Sequence, residues 1–161
     1  MKLGPLSGGE PLIDDRRPRG SLLPQARLFL GRGRELVRMA SSLAHPPVAI
    51  IISGPPGMGK SSLLLEAALR CGWRFPGGIA YAAGPRAEEA RAASAEGLLA
   101  SLAGELGLGR AEELFPYLAM QPVLLLLDNL DSLPDQEMVK LGEALRQLGS
   151  ESAAILALRP S

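Results

Sequence analysis

Apolar and polar positions fall into two alternating patterns along the chain. Runs at 48–53, 79–83, 123–128 and 153–158 are short and almost wholly apolar, as in strands covered on both faces. The first, Val48-Ala49-Ile50-Ile51-Ile52, is predicted to be buried on both sides. Between the runs, apolar residues recur every three or four positions, which predicts helices. One has Leu36, Val37, Met39, Ala40 and Leu43 at apolar positions and stops at His45-Pro46-Pro47. A second covers 60–71, with Leu63, Leu64, Ala67, Ala68 and Cys71 on one side and Gly72 at its end. Others are predicted over 87–106, with an interruption at Gly97, over 111–120, and over 135–148, ended by Gly149. Strand and helix alternate throughout. The fold class is therefore α/β: a mostly parallel sheet of four strands in a three-layer α/β/α arrangement with right-handed crossovers.

Residues 1–24 break both patterns. Gly4, Pro5, Gly8, Gly9, Pro11, Pro18, Gly20 and Pro24 leave no period intact, so this stretch reads as a flexible leader and 25–161 as one domain. Composition adds mainly exclusions. With 161 residues the chain can build one real core, and 47% hydrophobic with 21% charged residues is ordinary for a globular protein. A formal net charge of zero and 4% aromatics give no direct signal for a nucleic-acid surface. The apolar runs are too short to span a bilayer, and no apolar segment follows Lys2, so a cytoplasmic protein without a membrane partner is expected. The single cysteine, Cys71, cannot form an intramolecular disulfide and reads as a packing residue. Trp73 and Phe75 read as sealing a loop onto the core.

Candidate chemistry begins where the first strand meets its helix. Gly54-Pro55-Pro56-Gly57-Met58-Gly59-Lys60-Ser61 fits G-x-x-x-x-G-K-[ST], and Ser62 continues the helix. Gly57 and Gly59 allow a positive φ and close approach of the backbone to a ligand. Successive N–H groups and the helix N-terminus then make a nest for phosphate. Lys60 supplies a mobile charge for β- and γ-phosphates, and the Ser61 hydroxyl can ligate Mg²⁺. The run 123–128 ends in Asp128, where a carboxylate would meet that metal. The alternative for Asp128 is a turn-favouring Asp-Asn pair that merely ends a buried strand. Arg159 also follows an apolar strand, so the loop, Asp128 and Arg159 should share the carboxyl edge of the sheet, where such folds bind ligands. Asn129 occupies the position at which many motor ATPases carry a water-activating Glu, and an amide cannot accept that proton. Asp131 is the next carboxylate and a candidate base, with helix capping as its alternative.

Together these residues resemble the STAND class of P-loop ATPases, which includes the NB-ARC proteins and the nucleotide-binding domains of bacterial regulators. Leu28-Phe29-Leu30-Gly31-Arg32-Gly33-Arg34-Glu35-Leu36 is similar to the class's entry motif, Phe75-Pro76-Gly77-Gly78-Ile79-Ala80-Tyr81 to its lead into the second strand, and Leu124 to Asp131 to its D-N form of Walker B. Ile155-Leu156-Ala157-Leu158-Arg159 stands in place of its sensor strand, with Ala157 and Leu158 where Thr-Ser is usual. The resemblance implies that Gly31 and Arg32 line the adenine side and that Arg159 senses a γ-phosphate. It implies ATP or ADP with Mg²⁺ as cofactors and a sheet order of 5-1-4-3-2. No fifth strand, lid or winged helix follows in the sequence, so the domain is expected to be incomplete, with its first strand as an exposed edge and a tendency to poor solubility or oligomers. The function implied is a nucleotide-dependent signalling switch with slow ATP hydrolysis. Its partners would be proteins or further regions of a longer chain, or copies of itself in a nucleotide-dependent oligomer. The alternatives are an AAA+-like ATPase that works on protein or DNA, and a degenerate interaction module that does not hydrolyse nucleotide.

Overall fold

The computed structural model describes residues 31–159. The leader expected over 1–24 and the Leu28-Phe29-Leu30 lead lie outside them. In chain order the elements are α1 (Gly33–Leu43), β1 (Val48–Ser53), α2 (Lys60–Cys71), β2 (Gly78–Ala83), α3 (Ala95–Glu105), α4 (Leu114–Met120), β3 (Val123–Asp128), α5 (Asp135–Leu145) and β4 (Ala153–Leu158). The four strands form one parallel sheet in the order β1-β4-β3-β2. That order coincides with the four-strand part of the order implied by the resemblance.

Alternation along the strands divides the core into two layers. Ile52, Leu124, Leu126, Ala153, Ile155 and Ala157 pack on one face with Leu36, Met39 and Leu43 of α1 and Leu63, Leu64, Ala67 and Ala68 of α2. On the other face, Ala80, Ala82, Leu125, Leu127, Ala154 and Leu156 pack with Leu98 and Leu102 of α3, Leu118 of α4 and Leu141 of α5. Every residue of β3 is buried, as its leucine run predicts for a central strand.

Burial of β1 on both faces is not what the structure shows. β1 pairs with β4 alone among the described strands, and Ala49, Ile51 and Ser53 are exposed, Ile51 by 63%. Its inner face meets α1 and α2, whereas among the described residues no helix packs on its outer face; α3 packs chiefly on β2, at the opposite edge of the sheet. Apolarity along a strand reports what the strand can bury, not whether a layer is there to bury it.

Helix boundaries shift for local reasons. α3 starts at Ala95 rather than at 87, because Ser94 takes an extended conformation and its Oγ accepts the Gly97 N–H at 3.0 Å. Gly97 falls in the first turn of that helix and does not interrupt it. Residues 111–113 form a 3₁₀ turn ahead of α4, and α5 ends at Leu145, three residues before the expected end. Val37 is exposed on α1, and Trp73 is exposed with the Arg74 guanidinium 4.5 Å from its ring centroid. Phe75 alone seals that connection, at 1% exposure.

Candidate functional site

The P-loop residues form the turn between β1 and α2 as the sequence predicts. Gly57 and Gly59 have φ of 80° and 75°, and the carbonyl of Gly59 accepts the Leu63 N–H to begin the helix. A side chain with a Cβ would be strained at either glycine. Pro55, Pro56, Gly57, Met58 and Gly59 are exposed, Gly54 and Ser62 half-buried. Gly54 N donates to the Leu158 carbonyl at 3.4 Å, which ties the start of the loop to the end of β4. Lys60 folds back over the turn. Its Nζ donates to the carbonyls of Gly54 at 2.6 Å and Pro55 at 3.1 Å. Arg32, at the start of α1, donates from its guanidinium to the Met58 carbonyl at the tip of the loop. Gly31 is exposed with φ 82°.

Across the sheet edge the loop meets β3. Ser61 Oγ donates to Asp128 Oδ1 at 2.9 Å, and the Asn129 N–H donates to the same oxygen at 2.8 Å. Asp128 is 6% exposed. Asn129 sits in the left-handed region at φ 51°, a conformation that Asn tolerates, and its amide side chain is exposed. The turn it makes starts the Leu130–Ser132 3₁₀ helix and leads to Asp131. Asp131 does not join Ser61 and Asp128. Its Oδ2 accepts from Arg159 Nε at 3.0 Å, and its Oδ1 is buried without a hydrogen-bond partner among the described residues. The expected sensor and the expected base thus pair with each other.

Tyr81 is the residue that sequence reasoning missed. It lies on β2 opposite Leu126, and its hydroxyl donates to Asp128 Oδ2 at 3.2 Å. Burial, then the charge and hydrogen bond of Asp128, push its pKa up to about 12. Burial likewise pushes the Cys71 thiol up, the two nearby arginines opposing it, consistent with a packing role for this cysteine. Alternation along β2 puts Tyr81 on the α2 face, but its partner depends on strand register, which the near-continuous apolar runs of a parallel sheet leave weakly specified.

The donor set is one of hard oxygens, the Ser61 hydroxyl and the Asp128 carboxylate, within a hydrogen bond of each other. This fits Mg²⁺, which takes one or two protein oxygens and leaves other positions to water and phosphate. No group of three His, Cys, Asp or Glu side chains that could hold a metal ion occurs among the described residues. None of the described helices is long and apolar enough to cross a membrane. A broad open depression of about 780 Å³ lies elsewhere, between α3 and the 111–113 turn, lined by Glu96, Ala100, Arg110 and Glu112.

The sequence matches no protein-family description and no curated protein. Among solved structures, the ORC2 protein of Aeropyrum pernix, determined as ADPNP–ADP complexes, is similar at a TM-score of 0.52 and 15% sequence identity. The match covers 92% of this chain and 44% of that one, so the chain spans less than half the length of its structural neighbour. At that identity the likeness is one of fold alone, a parallel α/β sheet flanked by helices with a P-loop after its first strand.

Proposed function

We propose that this chain binds ATP or ADP as the Mg²⁺ complex and acts as a nucleotide-dependent switch with slow hydrolysis. The observation that carries the reading is the 2.9 Å contact between Ser61 and Asp128, which joins the P-loop to the carboxylate end of β3. Hydroxyl and carboxylate from two distant stretches meet where a Mg²⁺–phosphate would need both. The solution of the structural neighbour with ADPNP and ADP supports a nucleotide as the ligand.

Each residue then has a task. The N–H groups of 57–61 would cradle phosphate, and Lys60, now held by two loop carbonyls, is a mobile cation near the same place. Ser61 and Asp128 would hold Mg²⁺, which when bound neutralises charge on the terminal phosphates. Arg32 ties α1 to the tip of the loop, so the entry segment can respond to what the loop binds. Slow hydrolysis follows from the residues beside Asp128. Asn129 is an amide, and Asp131 is committed to Arg159. Exchange of the Asp131 pair for a γ-phosphate contact is the step by which Arg159 would report ATP rather than ADP, a differential contact of the kind a switch requires. Signalling of the STAND type, with output through protein partners or other regions of a longer chain, is the wider role this reading favours.

Thermal unfolding with and without Mg-ATP and Mg-ADP tests the proposal. Nucleotide at about 100 times Kd should stabilise the parent by roughly 2.7 kcal/mol. Lys60→Ala should lose most of that gain while melting near the parent in buffer alone. A parent that no nucleotide stabilises would overturn the reading. The AAA+-like motor remains the second reading, favoured by the fold of the neighbour. Rapid single-turnover hydrolysis that Asp131→Ala abolishes would select it over the switch.

A further inference from the structure

We propose that Tyr81 is a positioning residue for the Asp128 carboxylate, fixing the orientation in which it meets the metal of a bound Mg²⁺–nucleotide. The inference rests on the nucleotide-binding reading above. Three donors surround this one carboxylate. Ser61 Oγ and the Asn129 N–H hold Oδ1 at 2.9 and 2.8 Å, while the Tyr81 hydroxyl holds Oδ2 at 3.2 Å. The first two act on one oxygen and from one side, so they alone must resist rotation of the group about its Cβ–Cγ bond. Tyr81 holds the opposite oxygen, and donors on both oxygens restrain that rotation more tightly than donors on one.

The anchor comes from a rigid place. Tyr81 is in the fourth position of β2, whose register with β3 pairs it with Leu126 and pairs Ala83 with Asp128. Its ring packs into the layer that contains Leu124, Leu126 and the buried face of α2. A phenylalanine could fill that layer equally well, so the hydroxyl serves Asp128 rather than packing. Tyr117, the second of two tyrosines in the chain, uses its hydroxyl differently: it donates to the Gly77 carbonyl at 2.7 Å. It provides an internal control.

Hydrogen-bond partners that orient a metal ligand typically change metal affinity by 10- to 100-fold when removed. The test therefore follows melting of the full chain in saturating ADP as Mg²⁺ is raised, for the parent and for Tyr81→Phe. The variant should need about 10- to 100-fold more Mg²⁺ for half of the metal-dependent stabilisation. Its melting without ligand and its stabilisation by ADP in EDTA should match the parent. The parent's Mg²⁺ midpoint in the variant overturns the proposal and leaves the nucleotide reading standing. A parallel loss of ADP binding in EDTA means that Tyr81 is merely structural, and also overturns it. A parent that neither ADP nor Mg²⁺ stabilises overturns both readings. Should Tyr81→Phe fail to fold, ¹³Cζ-tyrosine NMR of the parent decides. Mg²⁺ added to the ADP complex should move the Tyr81 resonance and leave Tyr117 in place, and an unmoved Tyr81 resonance overturns the proposal.

Discussion

Asp128 draws its hydrogen bonds from four residues, Ser61, Tyr81, Gly84 and Asn129, and the shortest of them is backbone to backbone. Gly84 follows β2, and its N–H donates to the Asp128 carbonyl at 2.7 Å. A Cβ on Gly84 would lie 2.2 Å from the Asn129 carbonyl oxygen and 2.9 Å from its carbon. Neither atom can move aside without disturbing the turn whose N–H anchors Asp128. Gly84→Ala should therefore destabilise the fold by about 1–3 kcal/mol, the range for overpacking, as urea unfolding would measure. It should also weaken the Mg²⁺ dependence of nucleotide binding, since Asn129 must shift. Lys60 and Ser61 were legible as site residues because the P-loop spacing is local. Tyr81 was not, since its partner lies 47 residues away and is set by strand register.

Elements show the same division. The run of leucines in β3 announced a buried central strand, and all six positions are buried. The start of α3 was harder, because alanines at 87–93 carry helix propensity without a helix-starting signal. The structure supplies two caps: the Ser94 hydroxyl, and Glu137 of α5, whose Oε2 accepts the Ala95 N–H at 2.8 Å. Glu137 also pairs with Lys140 at 2.7 Å. The Lys140 hydrogen bond first, and the Ala95 N–H second, hold its carboxyl below the ordinary carboxylate range. The folded-state value is the lower one, so this contribution is present above the unfolded-state pKa and lost as pH falls through the folded one. Amide exchange at the first turn of α3 should accelerate over that acid range. Glu137→Gln, whose amide oxygen can still accept the hydrogen bond, should remove most of the pH dependence. The pair is open to solvent, so the effect on global melting should be small.

At the scale of the whole molecule, one face of one strand is uncovered among the described residues. Ile51 is 63% exposed on β1, beside exposed Ala49 and Ser53, and among the described strands only β4 pairs with β1. A parallel-sheet edge with an apolar face and free backbone groups favours pairing with another chain. Light scattering over rising concentration should show self-association, and Ile51→Lys should reduce it, since an outward charge blunts such an edge. A monodisperse monomer at high concentration would count against this expectation. The same asymmetry leaves the site at the carboxyl edge of β1, β4 and β3, on the α2 face, where Ser61, Tyr81 and Asp128 meet.

By itself the sequence determined the α/β class, the strand set, the P-loop turn and the strand-ending Asp128, because each is written in contiguous residues or in a period of two or near four. Tertiary structure alone decided three things. It set the strand register, which brought Tyr81 to Asp128. It paired Arg159 with Asp131, so the expected sensor and base hold each other. It left the outer face of β1 without a covering element among the described residues. Each depends on which element lies beside which, and the near-continuous apolar runs of a parallel sheet lack the alternation by which a local pattern would specify register.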